Sequence, residues 1–493
     1  MTTGDYIVVA LFFLVMVYIG IISFRKIKAS SDFFVAGGTA PWWLAGISHH
    51  ISGYSGVVFV AYAGVAYQYG FTLYVWWAFS ITLACIAGAY LFAPRWARLR
   101  QELSIESPTE YLALRYNIGT QQLMAWSGVV LKLFDVGAKW ASIGILLNGF
   151  TGLPISTGIL LSAGVSLLYI TIGGLWADLY TDLAQFVVQI VAGFVLFFAV
   201  MNHLGGTESL LGIWDDLPEG HTDLFNGPYT SGFFIAFLAV VFLSYNGGTW
   251  NLAARYIAAP SAHSAKKSAL LSAGLYAFWP LILFFPMWAA PVLLPDLADP
   301  NQSYAELTQM FLPAGLVGLV LAAMFANTMS MTTSDANTIS AVITRDILPL
   351  ASDRFRNMPR KRSLRVARTA TFTFTLLTMI IAIEADRFGG VIELIIGWFG
   401  ALVGPVSIPM LFGLLPWFKH AGATAAVASI LTGLAAFVIT TYGLQAGLAA
   451  RVGAPVLSAG IVFIALAWFQ SRHPVRPEVE TLMRSLSAER PRH

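Results

Sequence analysis

Charge is what this chain of 493 residues has least of: Lys, Arg, Asp and Glu together make 11% of it, where an ordinary soluble domain carries roughly a quarter. That deficit excludes a soluble cytosolic enzyme. Cysteine is scarcer still. The single one, Cys85, lies inside an apolar run, so neither an intrachain disulfide nor a cysteine metal site can form. There is no GxxxxGK phosphate loop, so a pump driven by its own nucleotide site has no support. Nor is there a converging nucleophile or metal constellation of the kind a membrane-embedded enzyme needs. A solute sensor on a membrane scaffold would normally append a signalling domain, and only about two dozen residues follow position 470.

What is present is apolar side chain, 57% of the chain, and a membrane-crossing helix consumes about 20 residues. Thirteen apolar runs are long enough: 6–24, 42–67, 73–93, 122–149, 155–172, 178–200, 232–252, 269–290, 315–340, 365–383, 391–417, 422–441 and 454–469. The first is followed by Arg25, Lys26 and Lys28 without a small-residue cleavage pattern, so it reads as a retained helix with its amino end outward. Alternating the runs from that start places 24 of the 28 basic residues on the inner side; Arg387 and Arg451 fall outside, and Lys132 and Lys139 lie within the fourth run. Arg255, Lys266 and Lys267 count among the inner residues. The long outer loops, 201–231 and 291–314, hold no Lys or Arg. The expectation is one multi-pass plasma-membrane domain over 1–470, with the amino terminus outside and a cytoplasmic tail over 471–493. The Arg-rich stretch 354–368 reads as a topogenic loop, not a nucleic-acid site.

Backbone left unpaired in hydrocarbon costs several kcal/mol per group, so a glycine-broken span is tolerated where its carbonyls line a site. Two runs are interrupted in this way, by Ser52-Gly53-Tyr54-Ser55-Gly56 and by Tyr245-Asn246-Gly247-Gly248-Thr249. With the first run set aside, these are the opening helices of two groups of five, repeat one over about 42–200 and repeat two over about 232–417, running in opposite directions. The predicted fold is therefore all-α: an inverted five-plus-five repeat with broken first helices, one helix before it and two after. The ninth run supplies Asn327, Ser330, Thr333, Ser334 and Asn337 on one helical stripe, a neutral-oxygen wall suited to a small cation. Asp335 projects away from this stripe, near the inner end, and reads as an interfacial residue.

Certain motifs make the chain resemble the sodium/solute symporter family. They are Asp32-Phe33-Phe34-Val35-Ala36-Gly37-Gly38, Gly173-Gly174-Leu175-Trp176-Ala177-Asp178, Thr181-Asp182, and the run from Asn327 to Thr344-Arg345-Asp346. The resemblance covers almost the whole chain and implies a cation-coupled secondary transporter working by alternating access. It implies a principal sodium site from the carbonyls of Ile51, Tyr54 and Asn327 and the hydroxyl of Ser330, and a second sodium or proton site from Asp182, Ser330, Thr333 and Ser334. Two positions depart from the family pattern. Met331 stands where a second hydroxyl is usual and Ile170 where a threonine is usual, and the first departure motivates proton coupling through Asp182 as the alternative.

Lys132, Asp135 and Lys139 share one face of the fourth run; one lysine can pair with Asp135, which leaves the second lysine over. Lys139 lies one residue beyond the arginine position of sialic-acid-transporting members. The expected solute-binding residues are Gly53, Ser55, Trp76, Trp77, Lys139, Tyr245, Asn246 and Trp250, with Tyr54, Trp140 and Thr249 nearby; aromatic rings stack on sugars and the polar groups read hydroxyls. A sugar is the leading solute, an organic acid or acidic sugar the alternative. His49 and His50 read as helix-end residues, with no third ligand at metal spacing. Sodium is the one cofactor-like species implied. The expected partners are the solute and the lipid bilayer, with no nucleic acid, and a monomer is one reading of the assembly.

Overall fold

The computed structural model describes residues 1–356, 358–388 and 403–487. The first twelve residues of the run at 391–417, and with them part of the expected second repeat, lie outside the described residues. Helix α1 (Thr3–Ser23) precedes the first broken helix, whose halves are α2 (Trp42–Ile51) and α3 (Ala63–Tyr69). Next come α4 (Ser80–Leu91), α5 (Ala93–Leu103), α6 (Ile118–Thr151) and α7 (Ile155–His203). The second broken helix has halves α8 (Ser231–Leu243) and α9 (Asn251–Ile257). It is followed by α10 (Ala262–Leu293), α11 (Leu316–Val342), α12 (Arg360–Ile383), α13 (Gly404–Phe412), α14 (Ala423–Val438), α15 (Leu448–Gln470) and α16 (Pro477–Ser487). No strand occurs among the described residues.

Among the described residues nine helices are long and apolar enough to cross a membrane. That number is below the thirteen apolar runs for four reasons, one being that part of the eleventh run lies outside the described residues. The first broken helix has halves too short to cross alone, and α6 carries three charged residues in its middle. The fifth and sixth runs join into one element, α7. That element is not straight: Gly174 sits at φ 49° and ψ −145° and turns the chain between the two runs. A Cβ there would lie 2.4 Å from the Phe33 carbonyl oxygen, so both the dihedral and the close approach of the neighbouring motif demand glycine.

The innermost helix is α11, nearly every residue of which is buried, and it packs most extensively against α7. A helix buried all round must satisfy its polar side chains internally. Its hydroxyls do so partly on their own backbone: Thr332 Oγ1 donates to the Thr328 carbonyl at 2.8 Å and Thr338 Oγ1 to the Ser334 carbonyl at 2.9 Å. The remaining oxygens are left to face α2, α7 and α9. At the other extreme, α1, α14 and α15 expose rows of large apolar residues such as Leu14, Tyr18, Leu431, Leu457 and Ile461, as lipid contact requires.

Candidate functional site

Both glycine stretches interrupt helical winding. In the first, Gly53 N–H and Tyr54 N–H bond to the carbonyls of His50 and Ile51, three residues back, and Val58 N–H bonds to Ser55 and so releases the Tyr54 carbonyl. Gly56 N–H donates instead to Thr328 Oγ1 of α11 at 2.8 Å, which relieves the Ser52 carbonyl of its regular partner and fastens the break to the innermost helix. In the second, Gly247 takes φ 111° and Trp250 φ 71°, and the freed carbonyls of Asn246 and Gly248 accept from Trp96 Nε1 at 3.0 Å and Ser407 Oγ at 3.1 Å.

The two breaks face each other and run antiparallel. Arg255 Nε donates to Ser48 Oγ at 3.0 Å, while further along the first helix Tyr245 O–H reaches the Gly53 carbonyl at 3.3 Å, so rising numbers in one segment meet falling numbers in the other. His49 binds the pair together. One ring nitrogen lies 2.8 Å from Ser272 Oγ, and the other lies 3.0 Å from the Tyr245 carbonyl and 2.8 Å from the Tyr256 hydroxyl. Both His49 and His50 occupy the last turn of α2 and are fully buried.

Between the breaks lies a cavity of about 80 Å³. A water needs roughly 10–15 Å³ of such space and small-molecule pockets run to about 300–1,000 Å³, so in this arrangement it has room for a few waters and must widen to admit a solute. Its wall includes Gly53, Ser55, Trp77, Lys139 and Tyr245 of the residues expected from sequence, together with Ser52, Asp135, Thr249, Asn251 and Met331. Three expected residues stand elsewhere. Trp76 stacks on Tyr229 at 5.2 Å between ring centres and is separated from the cavity by Tyr62, against which both it and Trp77 pack. Asn246 turns its amide to the carbonyls of Ala84 and Phe242 at 3.1 and 2.7 Å. Trp250 packs onto Gly128, where a Cβ would come within 1.8 Å of the indole ring. Tyr54 and Trp140 are buried in packing; the Tyr54 ring stacks on Tyr276 at 5.6 Å.

Behind the cavity, the hydroxyl stripe of α11 meets two carboxylates of α7. Thr333 Oγ1 donates to Asp178 Oδ1 at 2.6 Å and Ser334 Oγ to Asp178 Oδ2 at 2.9 Å. Asp182 Oδ2 accepts from Ser48 at 2.5 Å and Ser52 at 3.4 Å, and Ser52 Oγ stands 3.2 Å from Ser330 Oγ and 3.1 Å from Ser334 Oγ. Asn327 donates its amide N–H back to the Ala323 carbonyl at 2.7 Å, while its side-chain oxygen is buried without a hydrogen-bond partner; Asn337 donates to the Phe34 carbonyl at 3.1 Å. Ile51 immediately precedes Ser52, next to Ser330. Met331 points into the cavity rather than toward the carboxylates.

Arg255 was counted above with the inner topogenic charges, and the structure corrects this. It is fully buried on α9, with Nη2 2.6 Å from Asp178 Oδ2 and 3.2 Å from Asp182 Oδ2, and it also bonds to Ser334. A charge rule reads position along the chain and cannot see a short helix tucked back into the fold. Two carboxyl groups thus face one guanidinium in a water-poor site, one acid more than that base can neutralise. Asp182 Oδ1 is buried there with no hydrogen-bond partner. A carboxylate oxygen left bare among hydroxyls is the donor set of a small hard cation or of a proton.

The fourth-run charges also close differently from the expectation. Asp335 is not interfacial: it is 1% exposed and supplies the second carboxylate that the lysines lack. Lys132 Nζ lies 2.6 Å from Asp335 Oδ1 and 3.2 Å from Asp135 Oδ2; Lys139 Nζ lies 2.6 Å from Asp135 Oδ2 and 3.0 Å from Asp335 Oδ2. Among the described residues two carboxylates face two ammonium groups, and the quartet joins the cavity wall, through Asp135 and Lys139, to the α11 residue next to Ser334.

Comparison with known proteins agrees with this geometry. A family model described as the sodium:solute symporter family matches residues 33–433. The chain is 27% identical over 427 residues to a sodium/glucose cotransporter of Vibrio parahaemolyticus, covering 80% of this chain and 76% of that one. It is 25% identical to a sodium/sialic acid symporter of Aliivibrio fischeri, covering 88% and 86%, and 25% identical to the human sodium/iodide cotransporter, covering 83% and 65%. In fold it is similar to a substrate-bound, outward-open Na+-coupled sialic acid symporter, with a TM-score of 0.82 over 95% of this chain and 98% of the other at 20% identity.

Proposed function

The chain belongs to the sodium:solute symporter family, and from that premise we propose that it imports a small polar solute, a sugar in the leading reading, on an inward sodium gradient. One observation carries the proposal: two antiparallel broken helices enclose a cavity, and Ser52 on its wall hydrogen-bonds to Asp182, whose other carboxylate oxygen is buried without a hydrogen-bond partner. Cavity and ion ligands share Ser52, so filling one changes the other, which is the requirement for coupling.

In this reading Ser55, Trp77 and Tyr245 receive the solute. The principal sodium takes the carbonyls of Ile51, Tyr54 and Asn327 with Ser330 Oγ, and Ser52 Oγ, 3.2 Å from Ser330, replaces the hydroxyl that Met331 lacks. Asp182, Thr333 and Ser334 hold a second sodium or a proton against the excess acid. The two repeats, about 42–200 and 232–417, rock about this point within one domain over 1–470, in a plasma membrane with the amino terminus outside. An organic acid or acidic sugar is the second reading, favoured by Lys139 on the cavity wall.

Uptake into proteoliposomes separates these. Labelled hexoses, polyols and small carboxylic acids are offered at fixed pH under an inward sodium gradient. Accumulation of a neutral sugar that stops when sodium is replaced by choline supports the leading reading; accumulation of acids alone, with no competition from neutral sugars, supports the second. Uptake unchanged by removal of sodium contradicts sodium coupling.

A further inference from the structure

A second cavity, of about 470 Å³, opens on the flank of the protein between α6, α12 and the segment that follows α11. One stripe of α12, from Arg362 and Arg365 to Phe374 and Leu377, forms one wall, and Val129, Leu133 and Leu348 form the others. Its two ends differ in chemistry. The end at the start of α12 carries two exposed guanidinium groups, at i and i+3, and no described carboxylate forms an ion pair with either. Of the basic residues just upstream, Arg356 is paired with Asp353 at 3.1 Å, but Arg354 and Lys361 add to the positive charge. The deeper end is apolar. Leu377 is 43% exposed, and Phe372 and Leu376 beside it are 46% and 41% exposed, so this end opens sideways from a membrane-crossing helix.

An occupant of the whole groove must therefore be anionic at one end and a hydrocarbon at the other, with the charge at the level where α12 begins. We propose that this groove binds an anionic phospholipid, its phosphate between Arg362 and Arg365 and one acyl chain along the stripe to Leu377. Arginine suits the task because its planar fork matches phosphate oxygens in pairs, and basic pockets between membrane helices hold lipid headgroups by the same means. The inference is independent of the solute, and of which membrane face α12 starts from.

Native mass spectrometry of the purified full chain tests it with three probes: dioleoyl phosphatidylglycerol, dioleoyl phosphatidylcholine and inorganic phosphate. The expected result is phosphatidylglycerol bound about tenfold more tightly than phosphatidylcholine, with that preference lost in R362Q/R365Q and kept in R354Q/K361Q, which removes the same charge outside the groove. A sodium-induced thermal shift retained in R362Q/R365Q shows that the variant is folded. Equal retention of the two lipids, or equal loss of preference in both variants, overturns the proposal. So does inorganic phosphate displacing the lipid at equal concentration, since the site would then read the anion alone.

Discussion

Asp335→Asn lowers the stability of the folded protein by about 3–5 kcal/mol, the cost of removing one partner from a buried ion pair. The reason lies in the count of charges. Asp335 and Asp135 between them face Lys132 and Lys139 at 2.6–3.2 Å, and all four groups are nearly inaccessible to solvent. Asparagine preserves the shape but removes one of the two described carboxylates that face these buried ammonium groups. A double variant, Lys132→Met with Asp335→Leu, removes one charge of each sign and leaves the Lys139–Asp135 pair neutral, so most of the loss returns. Thermal unfolding of both variants in detergent checks this. A single variant within about 0.5 kcal/mol of the parent would show that the quartet is not held as described.

The second large effect concerns the coupling ion. Asp182→Asn removes the excess acid while keeping an oxygen at the same place. Interactions with a charged group contribute about 1.5–3 kcal/mol, so the sodium concentration for half-maximal uptake rises by roughly 10–100-fold. Asp178→Asn is the informative companion, because Asp178 already has Thr333, Ser334 and Arg255 on its oxygens. Its loss disturbs packing, and folded yield falls before ion affinity does. Were Asp182 a proton carrier, the asparagine variant would instead make uptake insensitive to pH with sodium affinity unchanged. An Asp182→Asn protein with parental sodium dependence and pH profile would remove this residue from the ion site.

Much of this arrangement was legible in the sequence, and the misses have physical causes. Glycine clusters within apolar runs are local signals, so both breaks could be placed from them. The stripe on α11 follows from helical spacing alone. What spacing cannot reveal is which neighbour a face meets. Asp335 points away from the hydroxyl stripe, as its position dictates, but that direction leads to α6, where the lysines stand about two hundred positions earlier in the chain. Arg255 was hidden for a related reason: the charge rule assigns it a side of the membrane, whereas a tight turn at Gly247 and Trp250 carries it inward. Trp76 and Trp77 are adjacent and aromatic, and their sequence gives no means of choosing the one that lines the cavity. The wide helical turn over Tyr74–Phe79 makes that choice by sending Trp76 to Tyr229.

The central claim is that the space between the two broken helices is a water-filled chamber reached from solution by alternating access. Cys85, the one native cysteine, is buried, so a cysteine introduced at Ser55 on the cavity wall gives a clean signal. The account predicts that Ser55→Cys reacts with a membrane-impermeant thiol reagent in intact vesicles, and that sodium changes the rate by altering which side the chamber faces. Reaction no faster than that of a cysteine placed at lipid-exposed Leu457, with and without sodium, would contradict it.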